Sequence, residues 1–514
     1  MKQQDLFKPV PRHKLASLTQ EELIEFIEVQ GRVIDAFTKE NIRLKSQNNE
    51  LEQKSLYVDD QYITLKNKFF GKSSEKEPSL KDRLKHEQGR SKKNRRRKVQ
   101  LPSLRYPNAP LVEREVELKE FPICKCCNNK MSDSGMTENS EHITVIPKQH
   151  WVIRQKRHIY RCTKCHGDMV TAPVPPRIKP GSSYSDEMII DVAMSKYCDL
   201  IPIERYASIA GREGLSDLPP QSLIEQTHYL ADFVEGAYDR IRSDILLGKV
   251  LHADETPHRM LEENDNKSWY LWGFSTKSSS YYDVKDTRSG DVAHELLKNS
   301  SCEYLVSDVF SGYSRAIRLT NEHRDQTNCG PPIKNVYCNA HARRKFKEAK
   351  ANFPDEAQYF IDIYKKIYRL EKIAQARPPD RVLRVRRYMV KLFEDMKTQA
   401  MELTGGYSTK SSIGKAISYY LKNYEQFILF VNIKELPIDN NPQERLLRNP
   451  VIGRKTWLGT HSKRGAKTNA ILFSLVESCK LNKINPREYI KKLVEDLHRG
   501  KDPYTPKDYT DLQK

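Results

Sequence analysis

Residues 249–257 read KVLHADETP and residues 303–313 read EYLVSDVFSGY. In each, a short apolar run of the kind that forms a buried strand ends on an acid, Asp254 in the first and Asp308 in the second, and Pro257 is expected to stop the first strand. Working outward, WYLWGF (269–274) and YYDV (281–284) are two further strand candidates and DVAHELLKN (291–299) is a short amphipathic helix. NVYCN (335–339) is a fifth strand candidate, and AHARRKFKEAK (340–350) reads as a helix. The order is three strands, helix, strand, helix, strand, helix, with acids on the first and fourth strands. This is the order of a ribonuclease H-like fold, in which a third acid comes from a late helix. LPIDNNPQERLLRNP (436–450) offers Glu444 in that place, with Asn441 as helix N-cap, Pro442 at the first helical position and Glu444 at the third, within reach of a capping box.

The charge balance gives these acids a chemical setting. With 88 Lys and Arg against 68 Asp and Glu, the chain stands at +20 and attracts polyanions. Three clustered carboxylates would repel a polyanion unless divalent cations sat between them. Carboxylates with Mg²⁺ (or Mn²⁺) on a surface that binds nucleic acid point to phosphodiester chemistry. Glu255 is a rival to Asp254, but neighbouring strand residues face opposite sides, so only one can enter the site, and Asp254 is preferred.

The rest of the chain reads as a series of modules. Phe37, Leu44, Leu51, Val58 and Leu65 recur every seven residues beside a more polar row of Ile34, Asn41, Asn48, Ser55 and Tyr62, the pattern of a weak, register-specific coiled coil over 20–70 that Gly71 would end. A basic linker follows (71–110). Within it, KDRLKHEQGRSKKNRRRK (81–98) has ten Lys or Arg against two acids and suits phosphate contact without sequence readout, with Arg95, Arg96, Arg97 and Lys98 at its centre. Cys124-x-x-Cys127 and Cys162-x-x-Cys165, 34 residues apart, have the spacing of a four-thiolate Zn²⁺ site in a module over 111–175. Cys126 and His166 are less suited to the same tetrahedron. Cys198, Cys302, Cys329, Cys338 and Cys479 are scattered and read as reduced residues, mostly buried. Prolines in APVPPRIKPG (172–181) mark a linker into short helices over 185–245, where IPIERYASIAGREGL resembles a helix-turn-helix with Gly211 or Gly214 at the turn. The 135 residues between Asp308 and Glu444 exceed any loop; Phe360, Ile363, Tyr364, Ile367 and Leu370, then Ile417, Leu421, Tyr424 and Ile428, have helical spacing. These define a helical insertion (346–432) between the two parts of a catalytic core (246–345 and 433–475), followed by a C-terminal helical segment (476–514). No apolar run reaches the roughly 18 residues that cross a bilayer. A secretory signal is not evident in MKQQDLFKPVPRHK, and a cytoplasmic location is expected.

Taken in order, FFGKSSEK, CKCCNNKM with YRCTKC, APVPPRIKPG, KYCDLIPIERY, HADETP, SDVFSGY, CNAHARRKF, LPIDNNPQERLLRNPVIGRKTWLG and SLVESCKLNKINPREYI resemble the TnpC-type transposases of bacterial insertion sequences, in the broad DDE transposase class. The resemblance runs from about Leu23 to Leu497. CNA replaces a more usual CWA, and Asn449 stands where the family runs directly into proline. The resemblance implies a multidomain α+β protein with a ribonuclease H-like core, in which Asp254, Asp308 and Glu444 are the catalytic acids and Mg²⁺ ligands. It further implies Mg²⁺-dependent DNA cleavage and 3′-OH strand transfer, with DNA as partner, a homo-oligomeric assembly and accessory proteins from the same element. His341, Arg343 and Arg344, and Arg448, Arg454, Lys455, Lys463 and Arg464 near Glu444, are candidate phosphate clamps. Trp457 reads as core in preference to a base-stacking residue. Two other classes share parts of the pattern. A ribonuclease H-like nuclease or resolvase would keep the acids, and a zinc-containing DNA-binding regulator would keep the knuckles and basic stretch without catalysis.

Overall fold

The computed structural model describes residues 19–70, 101–107, 109–114, 116, 120, 122–131, 140–145, 148–164, 167, 169–262 and 268–512. Arg95, Arg96, Arg97, Lys98, Gly71, Cys165 and His166 lie outside the described residues. The chain divides into two units, one of residues 1–71, 156–209 and 216–514, the other of residues 72–155 and 210–215.

The larger unit begins with helix α1 (Gln20–Phe70). Thr19 starts it through a capping box: its N–H donates to Glu22 Oε2 at 2.8 Å, and the Glu22 N–H donates back to Thr19 Oγ1 at 3.4 Å. The smaller unit contains α2 (Pro102–Arg105), where the Ser103 N–H and hydroxyl both donate to the Glu141 carboxylate at 2.7 Å. It also contains a tight turn closed by Cys124 N–H to Asn129 O (2.8 Å) and Asn128 N–H to Cys124 O (3.0 Å). Asn128 is left-handed there (φ 57°), a conformation asparagine tolerates.

Strands β1 (Ile159–Arg161) and β2 (Met169–Thr171) pair antiparallel. Helices α3 (Asp186–Tyr197), α4 (Ile203–Arg212), α5 (Pro220–Phe233) and α6 (Glu235–Leu246) follow. Gly211 lies inside α4, whereas Gly214, at φ 101°, makes the turn beyond it.

The five-stranded sheet holds β3 (Val250–His258), β4 (Trp269–Ser275), β5 (Ser280–Lys285), β6 (Tyr304–Ser307) and β7 (Lys334–Tyr337) in the order β5-β4-β3-β6-β7. The first three strands form an antiparallel meander, while β6 and β7 run parallel to β3 and so need crossovers. Helices α7 (Gly290–Leu297) and α8 (Ser311–Thr327) supply them, and α9 (Asn339–Ala349) follows β7. The strand and helix order expected from the sequence is thus observed. Alternation along β6 sends Leu305 into one core and Val306 into another.

The second core is the insertion, α10 (Pro354–Gln375), α11 (Val382–Leu403), α12 (Ser412–Lys422) and α13 (Tyr424–Ile428). Buried Arg386 ties it together, pairing with Glu371 at 2.6 Å and donating to the carbonyls of Phe430, Ile433 and Leu436. The apolar repeat from Ile417 to Ile428 is not one helix, since α12 ends at Lys422 and α13 starts afresh after Asn423. Helices α14 (Asn441–Trp457), α15 (Lys463–Leu481), α16 (Pro486–His498) and α17 (Pro506–Leu512) complete the chain.

Pro257 corrects the sequence reading. It lies within β3, opposite Tyr270 of β4, and does not end the strand. The parallel partner β6 pairs only with Val250–His252, so by Pro257 that side of β3 carries no β6 ladder for the missing N–H to break.

Candidate active site

Asp254 sits just past the point where β6 leaves β3, and Asp308 is the residue directly after β6. Two carboxylates from neighbouring parallel strands therefore emerge at the same end of the sheet. The third is delivered by the start of α14, which is fastened to the sheet by several bonds. Asn440 Nδ2 donates to Ala253 O at 2.9 Å, its Oδ1 accepts from His252 Nδ1 at 2.8 Å, and its N–H points at Cys338 Sγ at 3.2 Å. One turn on, Gln443 is fully buried and accepts from Ser275 Oγ at 2.5 Å, and Tyr282 donates to Leu446 O at 2.8 Å. Gly273 makes this approach feasible, because a Cβ there would lie 2.3 Å from Gln443 Nε2.

The helix start differs from the sequence reading. Asn440 is the N-cap and Glu444 the fourth helical residue, one position later than expected. No side-chain cap bond forms, so Glu444 is not the far arm of a capping box. Asp439 instead receives the Asn441 N–H at 3.2 Å, leaving the Glu444 carboxylate to the site.

The electrostatics report the convergence. Burial first, and then the charges of Glu255, Asp308 and Glu444, push the Asp254 carboxyl well above the usual carboxylate range. Burial also raises Asp308, against the opposing pull of His341 and Arg288. Asp308 Oδ1 and Glu444 Oε1 are buried and have no hydrogen-bond partner among the described residues. Buried carboxylate oxygens are costly unless something cationic or hydrogen-donating meets them. A donor set of hard oxygens with mutual repulsion and orphaned lone pairs fits a divalent cation such as Mg²⁺. Glu255 is differently placed. Arg288 holds its Oε1 at 2.6 and 2.8 Å, and Tyr313 donates to its Oε2 at 2.5 Å, so it is satisfied within the protein.

Cys338, His341 and Glu444 bring ligand atoms within 4.8 Å of one another. Burial pushes the Cys338 thiol up to about 12, which keeps it protonated and a poor metal ligand. What remains is His341 Nδ1 facing Glu444 Oε1 at 3.8 Å, with Arg344 Nη2 at 4.0 Å from Oε2. His341 and Arg344, read from sequence as phosphate clamps, thus stand beside the third acid. Arg343 lies over the Tyr368 ring at 5.5 Å. Arg454 donates to Thr256 Oγ1 at 3.2 Å, close to β3, while Arg448 and Lys455 are exposed on α14. Arg464 is engaged elsewhere, paired with Glu225 at 2.7 Å and Asp232 at 3.0 Å on α5. Trp457 is half-buried against the main core, edge-on to Tyr197. Asn440, Gln443 and Cys338 were not singled out by the sequence; the available signal was that Asn440 stands beside Asn441, the residue read as the cap.

At the first cysteine pair, the backbone N–H groups of Cys126 and Cys127 point at Cys124 Sγ and lower its pKa. Amides aimed at sulfur are what a metal-binding knuckle provides.

Comparison with known proteins adds a family to this geometry. The family model described as "Transposase IS66 family" matches residues 181–468, and that of the "zinc-finger binding domain of transposase IS66" matches residues 122–166, a span containing all four candidate zinc ligands. The chain belongs to the IS66 transposase family. Among its relatives are three uncharacterized proteins of Sinorhizobium fredii. The protein y4hP is 25% identical over 409 residues, covering 74% of this chain and 72% of the relative. The protein y4jD is 26% identical over 401 residues, covering 74% and 76%, and y4qI is 26% identical over 381 residues, covering 71% and 68%. Among the described residues no helix is long and apolar enough to cross a membrane.

Proposed function

We propose that the chain is a DDE transposase that cleaves the DNA ends of an insertion sequence and joins the resulting 3′-OH to target DNA, with Asp254, Asp308 and Glu444 holding two Mg²⁺ (or Mn²⁺) ions. The observation that carries this reading is the meeting of three carboxylates at one end of the sheet, with buried oxygens on Asp308 and Glu444 that have no hydrogen-bond partner among the described residues. When bound, the ions supply Lewis-acid stabilisation of the attacking and leaving oxygens. Asp254 and Asp308 would share them, and Glu444 would complete the set. His341 Nδ1 stands 3.8 Å from Glu444 Oε1, and Arg288 with Tyr313 keeps Glu255 turned away from the acids. The strand order β5-β4-β3-β6-β7, with β4 alone antiparallel to both neighbours, supports the ribonuclease H-like reading of the core. We further read Cys124, Cys127, Cys162 and Cys165 as one Zn²⁺ site, the basic stretch including Arg95, Arg96, Arg97 and Lys98 as a phosphate-binding tether, and α1 as a coiled coil that joins two copies.

The test is substitution of each acid by its neutral isostere. Asp254→Asn, Asp308→Asn and Glu444→Gln should leave Tm unchanged or raise it, since each relieves repulsion between acids, while lowering Mg²⁺-dependent cleavage by about a hundredfold or more. A Glu444→Gln protein with near-normal cleavage would sink the assignment of the third acid. Wild-type protein that cleaves but never joins ends would make the chain a nuclease or resolvase.

A further inference from the structure

A cavity of about 370 Å³ opens between the starts of α7 and α8, directly after Asp308. Three arginines line it, Arg288, Arg315 and Arg318, together with Ser289, Phe310 and Ser311. Each guanidinium is about half exposed and meets one carboxylate: Arg288 with Glu255 at 2.6 Å, Arg315 with Asp291 at 3.1 Å and Arg318 with Glu322 at 2.9 Å. Those bonds involve at most two nitrogens of each group, and a guanidinium has five N–H donors in a planar fork. Donors therefore remain for a ligand in the cavity. The pairs of Arg315 and Arg318 are half-exposed on both sides and contribute little to stability, so the fold does not account for both of them at one opening.

The floor of the cavity is shaped for close approach. A Cβ on Gly290 would come within 2.2 Å of the Gly312 carbonyl oxygen, and one on Gly312 would strike the Phe310 ring at the same distance. With glycine at both places, the first turns of α7 and α8 meet at the cavity, and their partial positive charge adds to that of the arginines. Arg288 also stacks on Phe310 at 4.1 Å, which fixes its plane. Its charge acts on Asp308, so whatever the cavity holds lies next to the acids.

We propose that this cavity binds a backbone phosphate of DNA, a neighbour of the phosphate to be cleaved, and so sets the register of the strand against Asp308. Arginine forks match phosphate oxygens bidentately, and the oxygens of a phosphodiester can take the N–H donors that the three ion pairs leave unused. The proposal rests on the reading of the acids as a DNA-cleaving site. Its test is chosen to be separable from that reading.

Full-length protein is treated with phenylglyoxal, which modifies accessible arginines, alone, with a mixed-sequence 40-base-pair duplex, or with inorganic phosphate at equal phosphate concentration. Mass spectrometry then follows Arg315 and Arg318. The duplex should protect both at least fivefold, and inorganic phosphate should not. The Arg315→Gln/Arg318→Gln protein should bind the same duplex about tenfold more weakly near physiological salt, with a slope of log affinity against log salt smaller by about 1. Equal modification with and without the duplex overturns the proposal, as does equal protection by inorganic phosphate, which would mark a site for a free anion. Should the double variant fail to fold, protection in the wild type decides. A protein that cleaves DNA but leaves these arginines reactive loses the cavity and keeps the acids; one that shields them but cleaves nothing loses the reading of the acids and keeps the phosphate site.

Discussion

At Lys196 of α3, burial and charge oppose each other. The ammonium is almost enclosed, 4.2 Å from the Trp457 ring and 5.8 Å from that of Tyr197, and desolvation pulls its pKa from 10.5 down to about 8 despite the charge of Glu204. The folded state thus prefers the neutral amine more than the unfolded chain does. Between about pH 8 and 10.5 the unfolded chain binds the extra proton, so stability should rise with pH across that window and level off above it. Lys196→Met should remove the rise and raise Tm at pH 7 by a few degrees, a gain of roughly 1–3 kcal/mol once the lost cation–π attraction is allowed for. Thermal melts of both proteins from pH 7 to 10.5 check this; parallel profiles would mean the ammonium is solvated. Nothing local in KYCDL announced this setting, because the rings that enclose Lys196 come partly from 261 residues further along the chain. Asp254 and Asp308 were legible for the opposite reason, since each ends an apolar run and the signal is contiguous. Asn440 was not. Two adjacent asparagines before Pro442 are equivalent as caps on paper, and the choice between them is made by Ala253, His252 and Cys338.

Among the elements, α14 and β4 are held at an unusually short separation, and the depth of the site depends on it. Gln443 packs against Gly273, is fixed by Ser275 and is fully buried, so its amide has no room to swing aside. Gly273→Ala would place a methyl 2.3 Å from Gln443 Nε2 and 3.1 Å from the Tyr282 ring, forcing α14 outward and Glu444 with it. The expected cost is about 1–3 kcal/mol in stability, with a larger proportional loss of cleavage than of fold. Denaturant melts and cleavage assays on one preparation test this, and an unchanged cleavage rate would show that Glu444 is not positioned through Gln443. The order of strands and helices was readable because period and punctuation are local. Its exceptions were set by partners distant in sequence. Pro257 stays in β3 because β6 has already departed, and the Ile417–Ile428 repeat breaks at Asn423 because the insertion turns there to bury Phe427 and Phe430. The pairing of Arg464 with α5 was equally invisible, since a basic residue near Glu444 in sequence looks like a phosphate clamp until its neighbours are known.

For the molecule as a whole, the question is what the long first helix does. Leu44, Leu51, Val58 and Leu65 are 47–63% exposed on α1, so the larger unit leaves this seven-residue row in solvent. Asp60, by contrast, is 2% exposed: its carboxylate accepts the Ser412 N–H at 2.7 Å and hydroxyl at 2.6 Å at the start of α12, and Asn352 Nδ2 donates to it as well. An acid at a helix N-terminus is favourably placed, so this contact anchors α1 on the insertion. Asp60 follows Val58 by two residues, which is about 200° around a helix. The anchored face and the apolar row therefore look in nearly opposite directions, and a second α1 can meet the row without displacing the anchor. Polar Asn41 and Asn48 in the companion row should restrict the pairing to one register at some expense of stability. Wild-type full-length protein should accordingly associate into dimers with rising concentration in light scattering. Leu51→Lys/Val58→Lys should be monomeric with the same Tm for the sheet and insertion, whereas Asp60→Ala should still dimerise. Monomeric wild type at tens of micromolar would remove the coiled coil, and a monomeric Asp60→Ala protein would mean that docking on the insertion, not the apolar row, brings two copies together.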